Sequence, residues 1–150
     1  MAGSTDNSVW IDAPFDVVWK ITNDLRNWPS LFTEYASIDV LEEEGNTATF
    51  RLTMVPDPDG SIWSWVSKRT WDKAGKRAAA HRVETGPFEY MKIYWDYAEE
   101  NGGTRMRWQQ EFAVKPEAPF DLASITDRIN KNTKIQMAVI KEKVEQAAAA

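Results

Sequence analysis

The segment Ser61–Asp72 reads SIWSWVSKRTWD. Successive side chains of a strand point to opposite faces, so Trp63, Trp65, Ser67, Arg69 and Trp71 share one side, while Ser64, Lys68 and Thr70 share the other. The second set is polar and reads as solvated; the first reads as an inward aromatic row with an arginine in its middle. A buried guanidinium is costly unless partnered, and it holds its charge because its ordinary pKa exceeds about 12. Two readings of Arg69 follow. It either forms a structural salt bridge with an inward carboxylate, or it meets a polar ligand in a cavity.

Working outward, five more segments read as strands: Ser37–Glu43, Thr47–Val55, Arg77–Glu84, Phe88–Glu99 and Thr104–Lys115. Turn-forming runs separate them, among them Asp57-Pro58-Asp59-Gly60, Gly86-Pro87 and Asn101-Gly102-Gly103, and short turns between successive strands imply an antiparallel meander. Ahead of the meander, alternation from Asn7 to Ile11 marks another strand, ended by Ala13-Pro14. Phe15, Val18, Trp19, Thr22 and Leu25 then recur at helical spacing until Asn23–Pro29 breaks the pattern, and a second short helix is predicted over Pro29–Tyr35. After Pro116 and Pro119 one long helix is predicted over about Phe120–Ala147, with Ile125, Ile129, Gln136, Ile140 and Val144 facing the sheet. The order predicts a single α+β domain over residues 1–150 of the helix-grip type: a seven-stranded curved antiparallel sheet around a long C-terminal helix, with an internal pocket.

The strands beside Ser61–Asp72 repeat its mixture of aromatics and isolated polar groups. Met91, Ile93, Trp95 and Tyr97 share one face, as do Met106, Trp108, Gln110 and Phe112. Arg82 alternates with Ala78 and Ala80, whose small side chains leave space; Phe50, Leu52 and Met54 read as ordinary core. On the long helix Asn132, Thr133 and Gln136 fall on or beside the apolar stripe, and several polar groups converging on one volume point to a wet pocket. Trp28, Phe32 and Tyr35 are placed to floor it, Tyr35 contributing a phenol that donates a hydrogen bond and is a weak acid. His81 falls on the face opposite Arg82 and is expected at the surface.

Composition narrows the chemistry. With no cysteine and one histidine, thiolate catalysis, disulfides and a His cluster are excluded, and no carboxylates group as a metal site would need. A net charge of −5 disfavours nucleic acid. No apolar run approaches a membrane span, and the start MAGSTDNSVW lacks the features of a secretion signal, so a cytoplasmic location is expected. No Ser-His-Asp set, P-loop or dinucleotide fingerprint is present. The residues alone leave open an enzyme or a non-catalytic carrier or sensor of hydrophobic small molecules.

Four segments carry a resemblance: TDNSVWIDAPFDVVWKITNDLRNWPSLFTEYA (5–36), WSWVSKR (63–69), HRVETGPFEYM (81–91) and MRWQQEFAVKPEAPFD (106–121). The chain resembles the monodomain aromatase/cyclases of bacterial type II aromatic polyketide pathways, of the spore-pigment and tetracenomycin type, within the START-like superfamily. The likeness extends over nearly the whole chain. It implies an enzyme that needs no cofactor, receives a linear poly-β-ketone tethered to an acyl carrier protein, joins carbons nine and fourteen by an aldol step, and dehydrates the ring to an aromatic one. The carrier protein and the other subunits of a type II polyketide synthase are the implied partners. By the same resemblance Arg69 and Tyr35 are the candidates for polarising a ketone and moving protons. Trp28, Phe32, Trp63, Trp65, Ser67, Arg82, Phe88, Met91, Trp95, Trp108 and Gln110 match residues that line the interior. At Gln136 tetracenomycin-type cyclases carry asparagine and spore-pigment cyclases resemble this chain.

Overall fold

Between residues 44 and 103 the chain reverses repeatedly, with Gly45, Gly60, Gly86 and Gly102 at positive φ, a region glycine enters without a steric penalty. In a computed structural model describing residues 2–149, the reversals separate the strands Tyr35–Glu44 (β2), Thr47–Met54 (β3), Ser64–Asp72 (β4), Arg77–Arg82 (β5), Phe88–Glu100 (β6) and Gly103–Val114 (β7). Each pairs antiparallel with the next, and the N-terminal strand Ala2–Ile11 (β1) closes onto β7, giving the order β1-β7-β6-β5-β4-β3-β2. Helix Phe15–Thr22 (α1), a 3-10 turn at Leu25–Asn27 and the single turn Trp28–Leu31 (α2) connect β1 to β2. The long helix Leu122–Ala149 (α3) packs against β1, β7, α1 and α2. This is the expected helix-grip arrangement.

Several boundaries differ from the sequence reading, each for a physical reason. β1 begins at Ala2, because Ala2–Asp6 pairs in register with Gln109–Ala113 of β7 although its residues are weak strand formers. The second short helix covers Trp28–Leu31 rather than Pro29–Tyr35. Phe32 is already extended at φ −101°, ψ 143°, the Gln136 side chain takes the Thr33 N–H at 3.1 Å, and Tyr35 starts β2 opposite Met54. β4 begins at Ser64, leaving Trp63 in the preceding loop. β5 ends at Arg82, because the Val83 and Glu84 N–H groups both donate to the Val66 carbonyl and bulge the strand. α3 begins at Leu122: Asp121 caps it by accepting the Ser124 N–H at 2.7 Å, while Phe120 lies outside the helix, its ring 5.8 Å from Phe88.

The buried apolar residues form two clusters. The larger gathers Trp28, Phe50, Trp95 and Trp108 with the inner faces of α1 and α3; the smaller joins Phe88, Met91, Phe112 and Ile125. Both contribute walls to one cavity.

Candidate active site: an aromatic cavity with two buried cations

The alternating register of the sheet builds this cavity. Arg69 on β4 sits between Ala48 on β3 and Ala80 on β5, so small side chains on both sides leave room for its long stem. One step along, Ser67 pairs with Arg82, which places the two arginines diagonally across neighbouring strands, within reach of one ligand. The resulting cavity measures about 440 Å³, within the range that holds organic molecules of drug size. Its exposed lining residues, Ile62, Trp63, Ser64, Glu84, Gly86 and Arg128, mark the opening.

Arg69 is 1% exposed and forms no ion pair within 4 Å among the described residues, so the salt-bridge reading is overturned. Its guanidinium carbon lies 4.1 Å from the Trp95 ring centre and 5.2 Å from that of Trp28, faces that attract a cation through their quadrupole. One terminal nitrogen donates to Asn23 Oδ1 at 3.0 Å. Asn23 holds its own amide in place by donating to the Trp19 carbonyl at 3.1 Å and to the Tyr97 hydroxyl at 3.2 Å. Arg82 lies 4.0 Å over Trp65 and 5.0 Å from Phe88. Burial lowers both guanidinium pKa values to about 10, which leaves both groups charged at neutral pH. Neighbouring phenols, Tyr97 and Tyr35 at Arg69 and Tyr35 at Arg82, offset part of that burial effect.

Unpartnered polar atoms concentrate here. Among the described residues the buried side-chain atoms without a protein partner are Thr5 Oγ1 and four N–H donors: Arg69 Nε, Arg82 Nε, Trp95 Nε1 and Trp108 Nε1. All four donors belong to residues that line the cavity. Buried donors are seldom left unpaired in proteins, so four around one volume single it out as the candidate site. Tyr35 also lines the cavity, and burial pushes its phenol well above the ordinary value, the neighbouring Glu34 adding to the effect. It is a neutral donor at working pH.

The structure brings most of the sequence-predicted residues together: Trp28, Tyr35, Trp65, Ser67, Arg69, Arg82, Phe88, Met91, Trp95, Trp108, Gln110 and Asn132 line the cavity. Trp63 lines it from the loop, outside the strand row, and its indole N–H donates to Asp57 Oδ2 at 2.7 Å. Two residues do not line it. Phe32, 2% exposed, backs the wall with its ring 5.3 Å from Trp28 and 4.8 Å from Tyr35. Gln136 is occupied with Thr33, accepting its N–H and donating to its hydroxyl at 2.8 Å, so it ties α3 to the chain after α2. Conversely Phe50, Leu52 and Met54, read as plain core, also form walls. Gln110 donates to Thr133 at 2.8 Å inside the cavity rim, and His81 is exposed as expected.

Three charged lining residues escaped the sequence reading: Glu34, Glu84 and Arg128. Glu84 is held by both oxygens on Arg51, at 3.0 and 2.7 Å, and Arg128 lies 3.6 Å from Asp57 of the β3–β4 loop. Glu34 is half-buried. Burial pushes its carboxyl up to about 7, against the opposing pull of the Tyr35 hydroxyl and the Arg128 guanidinium. Its one sequence signal was adjacency to Tyr35, obscured by reading that segment as helix. Among the described residues no cluster of His, Asp or Glu has the makings of a metal site, and no helix is long and apolar enough to cross a membrane.

The model of the polyketide cyclase / dehydrase and lipid transport family matches residues 11–131. The chain belongs to that family. A Streptomyces cyaneus protein named "Putative polyketide cyclase" is 57% identical over 148 residues, covering 99% of this chain and 97% of the relative. Among solved structures, the Zhui aromatase/cyclase of a Streptomyces species superposes with a TM-score of 0.85 at 19% identity, covering 97% of this chain and 95% of that one. A START superfamily protein from Mycobacterium smegmatis superposes with a TM-score of 0.81 at 13% identity, covering 96% and 98%. At such identities the shared feature is the START-like fold. In this cyclase family member the cavity lies between the sheet and α3.

Proposed function

We propose that this cyclase accepts a linear poly-β-ketone tethered to an acyl carrier protein and directs its first ring closure, joining carbons nine and fourteen, followed by dehydration to an aromatic ring. One observation carries the reading: the cavity walls hold four unpartnered donors and two unneutralised cations. Their complement is a ligand rich in acceptors and poor in donors, which describes a chain of ketones and their enolates. Such a chain cyclises unaided in many ways, so the catalyst's first contribution is to hold one folded conformer; fixed geometry of this kind is worth up to several kcal/mol. The indoles of Trp28, Trp95 and Trp108, with Trp95 and Trp108 5.1 Å apart at 63°, give the walls a rigid shape.

The second contribution is electrostatic. Aldol attack places negative charge on the ketone oxygen, and a cation held before the reaction in a low-dielectric site stabilises that charge without reorganising. Arg69, anchored by Asn23 and two indole faces, supplies the cation; Tyr35, kept neutral, supplies a hydrogen bond; Arg82 orients a second oxygen of the chain. No step in this scheme needs a cofactor. The acidic carrier protein docks through local basic groups at the opening, so its association weakens as salt screens them.

A minimal polyketide synthase with its carrier protein, run with a small fraction of an equivalent of this protein, tests the reading. The expected result is one ring-closed product far in excess of the protein added, with shunt products suppressed. Capture of a single unchanged ligand per protein molecule would show a carrier on the same fold instead.

A further inference from the structure

We infer that Glu34 is the proton carrier of the cavity, removing the α-proton that starts ring closure and returning it to the oxygen formed. The inference rests on the cyclase reading above and adds the base which that reading lacks. Among the described residues the acidic and basic side chains that line the cavity are Glu34, Tyr35, Arg69, Arg82, Glu84 and Arg128. Three of these are guanidinium cations and donate only. Burial keeps the Tyr35 phenol protonated, and Glu84 has both oxygens engaged by Arg51. Glu34 remains. Among the described residues it forms no ion pair within 4 Å, it adjoins Tyr35 in sequence, and its carboxyl stands at about 7. A base poised near working pH exists in both forms and transfers protons in either direction most effectively.

The electrons balance without an oxidant. The Glu34 carboxylate takes a proton from a methylene flanked by two ketones, and the C–H pair becomes the enolate. The enolate carbon bonds to the carbon of a second ketone, whose π pair moves onto oxygen; that oxygen takes the proton back from Glu34. For dehydration the regenerated carboxylate removes another α-proton, the C–O bond breaks, and the hydroxyl leaves as water with the proton Glu34 returns. Enolisation of the remaining ring ketones completes aromaticity. The titratable and charged groups that act on the Glu34 carboxyl are Tyr35 on β2 and Arg128 on α3; Arg69, Arg82 and Glu84 line the same cavity, Glu84 being paired with Arg51 and Arg128 with Asp57.

The test compares wild type, Glu34→Gln and Arg128→Gln as intact chains in the reconstituted synthase, scoring the rate of directed product against pH. Binding of dibenzoylmethane, a stable aromatic β-diketone, read by tryptophan fluorescence, reports whether the cavity is intact. In wild type the rate rises as pH passes about 7, where Glu34 ionises. In Glu34→Gln it falls at least about a hundredfold and loses the rise, while dibenzoylmethane still binds. In Arg128→Gln the rise moves to higher pH, because the cation that pulls the Glu34 carboxyl down is gone. Glu34→Gln with wild-type rate and profile overturns the inference. If that variant loses dibenzoylmethane binding, Arg128→Gln decides, and an unmoved rise overturns it. A wild type that leaves the shunt mixture unchanged defeats the cyclase reading itself, a result distinct from either.

Discussion

Replacing Arg69 by alanine separates its chemical role from its structural one. In the folded protein the guanidinium loses two cation–π contacts and one hydrogen bond to Asn23, together about 3 kcal/mol if each falls at the usual 0.5–1.5 kcal/mol. Against this, burial disfavours the charge and lowers its pKa to about 10, a penalty on the order of 3 kcal/mol that the alanine variant no longer bears. The two nearly cancel, so stability should change by no more than about 1 kcal/mol, a few degrees in Tm. Catalysis has no such compensation. Loss of one fixed oxyanion partner costs roughly 3 kcal/mol, about a hundredfold in directed rate, and spontaneous shunt products then dominate. Arg69→Lys should recover little, because a point-charge ammonium reproduces neither the planar fork that reaches Asn23 nor the stacking on Trp95. The assay is product partition in the reconstituted synthase beside a thermal melt of each variant. Wild-type rate and product mixture from Arg69→Ala would refute the electrostatic role; a large drop in Tm would refute the cancellation.

Further outcomes follow from neighbouring contacts. Asn23→Ala strands the N–H groups of Arg69 and Trp71, which both donate to Asn23 Oδ1 at 3.0 Å; denaturant melts should show a loss of about 2 kcal/mol, with directed rate falling as Arg69 loses its anchor. Gln136→Ala removes two hydrogen bonds to Thr33 and should cost roughly 1–2 kcal/mol in the same melts; because Gln136 lies outside the cavity lining, the ring pattern of the product should not change. Tyr35→Phe should slow directed closure about tenfold, near 1.4 kcal/mol. The difference in absorbance titration between it and wild type should show no phenol ionising up to about pH 10, since Tyr35 stands well above that range.

Period-two alternation made the inner row legible. Trp65, Ser67, Arg69 and Trp71 face one way because a strand permits nothing else, and the same rule placed Met91, Trp95, Trp108 and Gln110. Local patterns failed where distant contacts decide the conformation. Ala2–Asp6 carries no strand signal and becomes strand by pairing with β7. Thr33 leaves the helix because Gln136, 103 residues away, takes its N–H, and that shift hid the position of Glu34. The partner of Arg69 was equally out of reach: Asn23 is 46 residues distant and, in sequence, served as a helix breaker. Glu84 and Arg128 are charged surface residues in pattern, and they join the cavity from the bulge that ends β5 and from α3.

The central claim is that this cavity selects one ring closure from the many open to a poly-β-ketone. The most direct measurement supplies the minimal synthase with uniformly carbon-13-labelled extender units and reads carbon–carbon couplings in the aromatic product by NMR, with and without the protein. A coupling between carbons nine and fourteen that dominates only when the protein is present is the predicted result. The same distribution of ring bonds in both samples would contradict it.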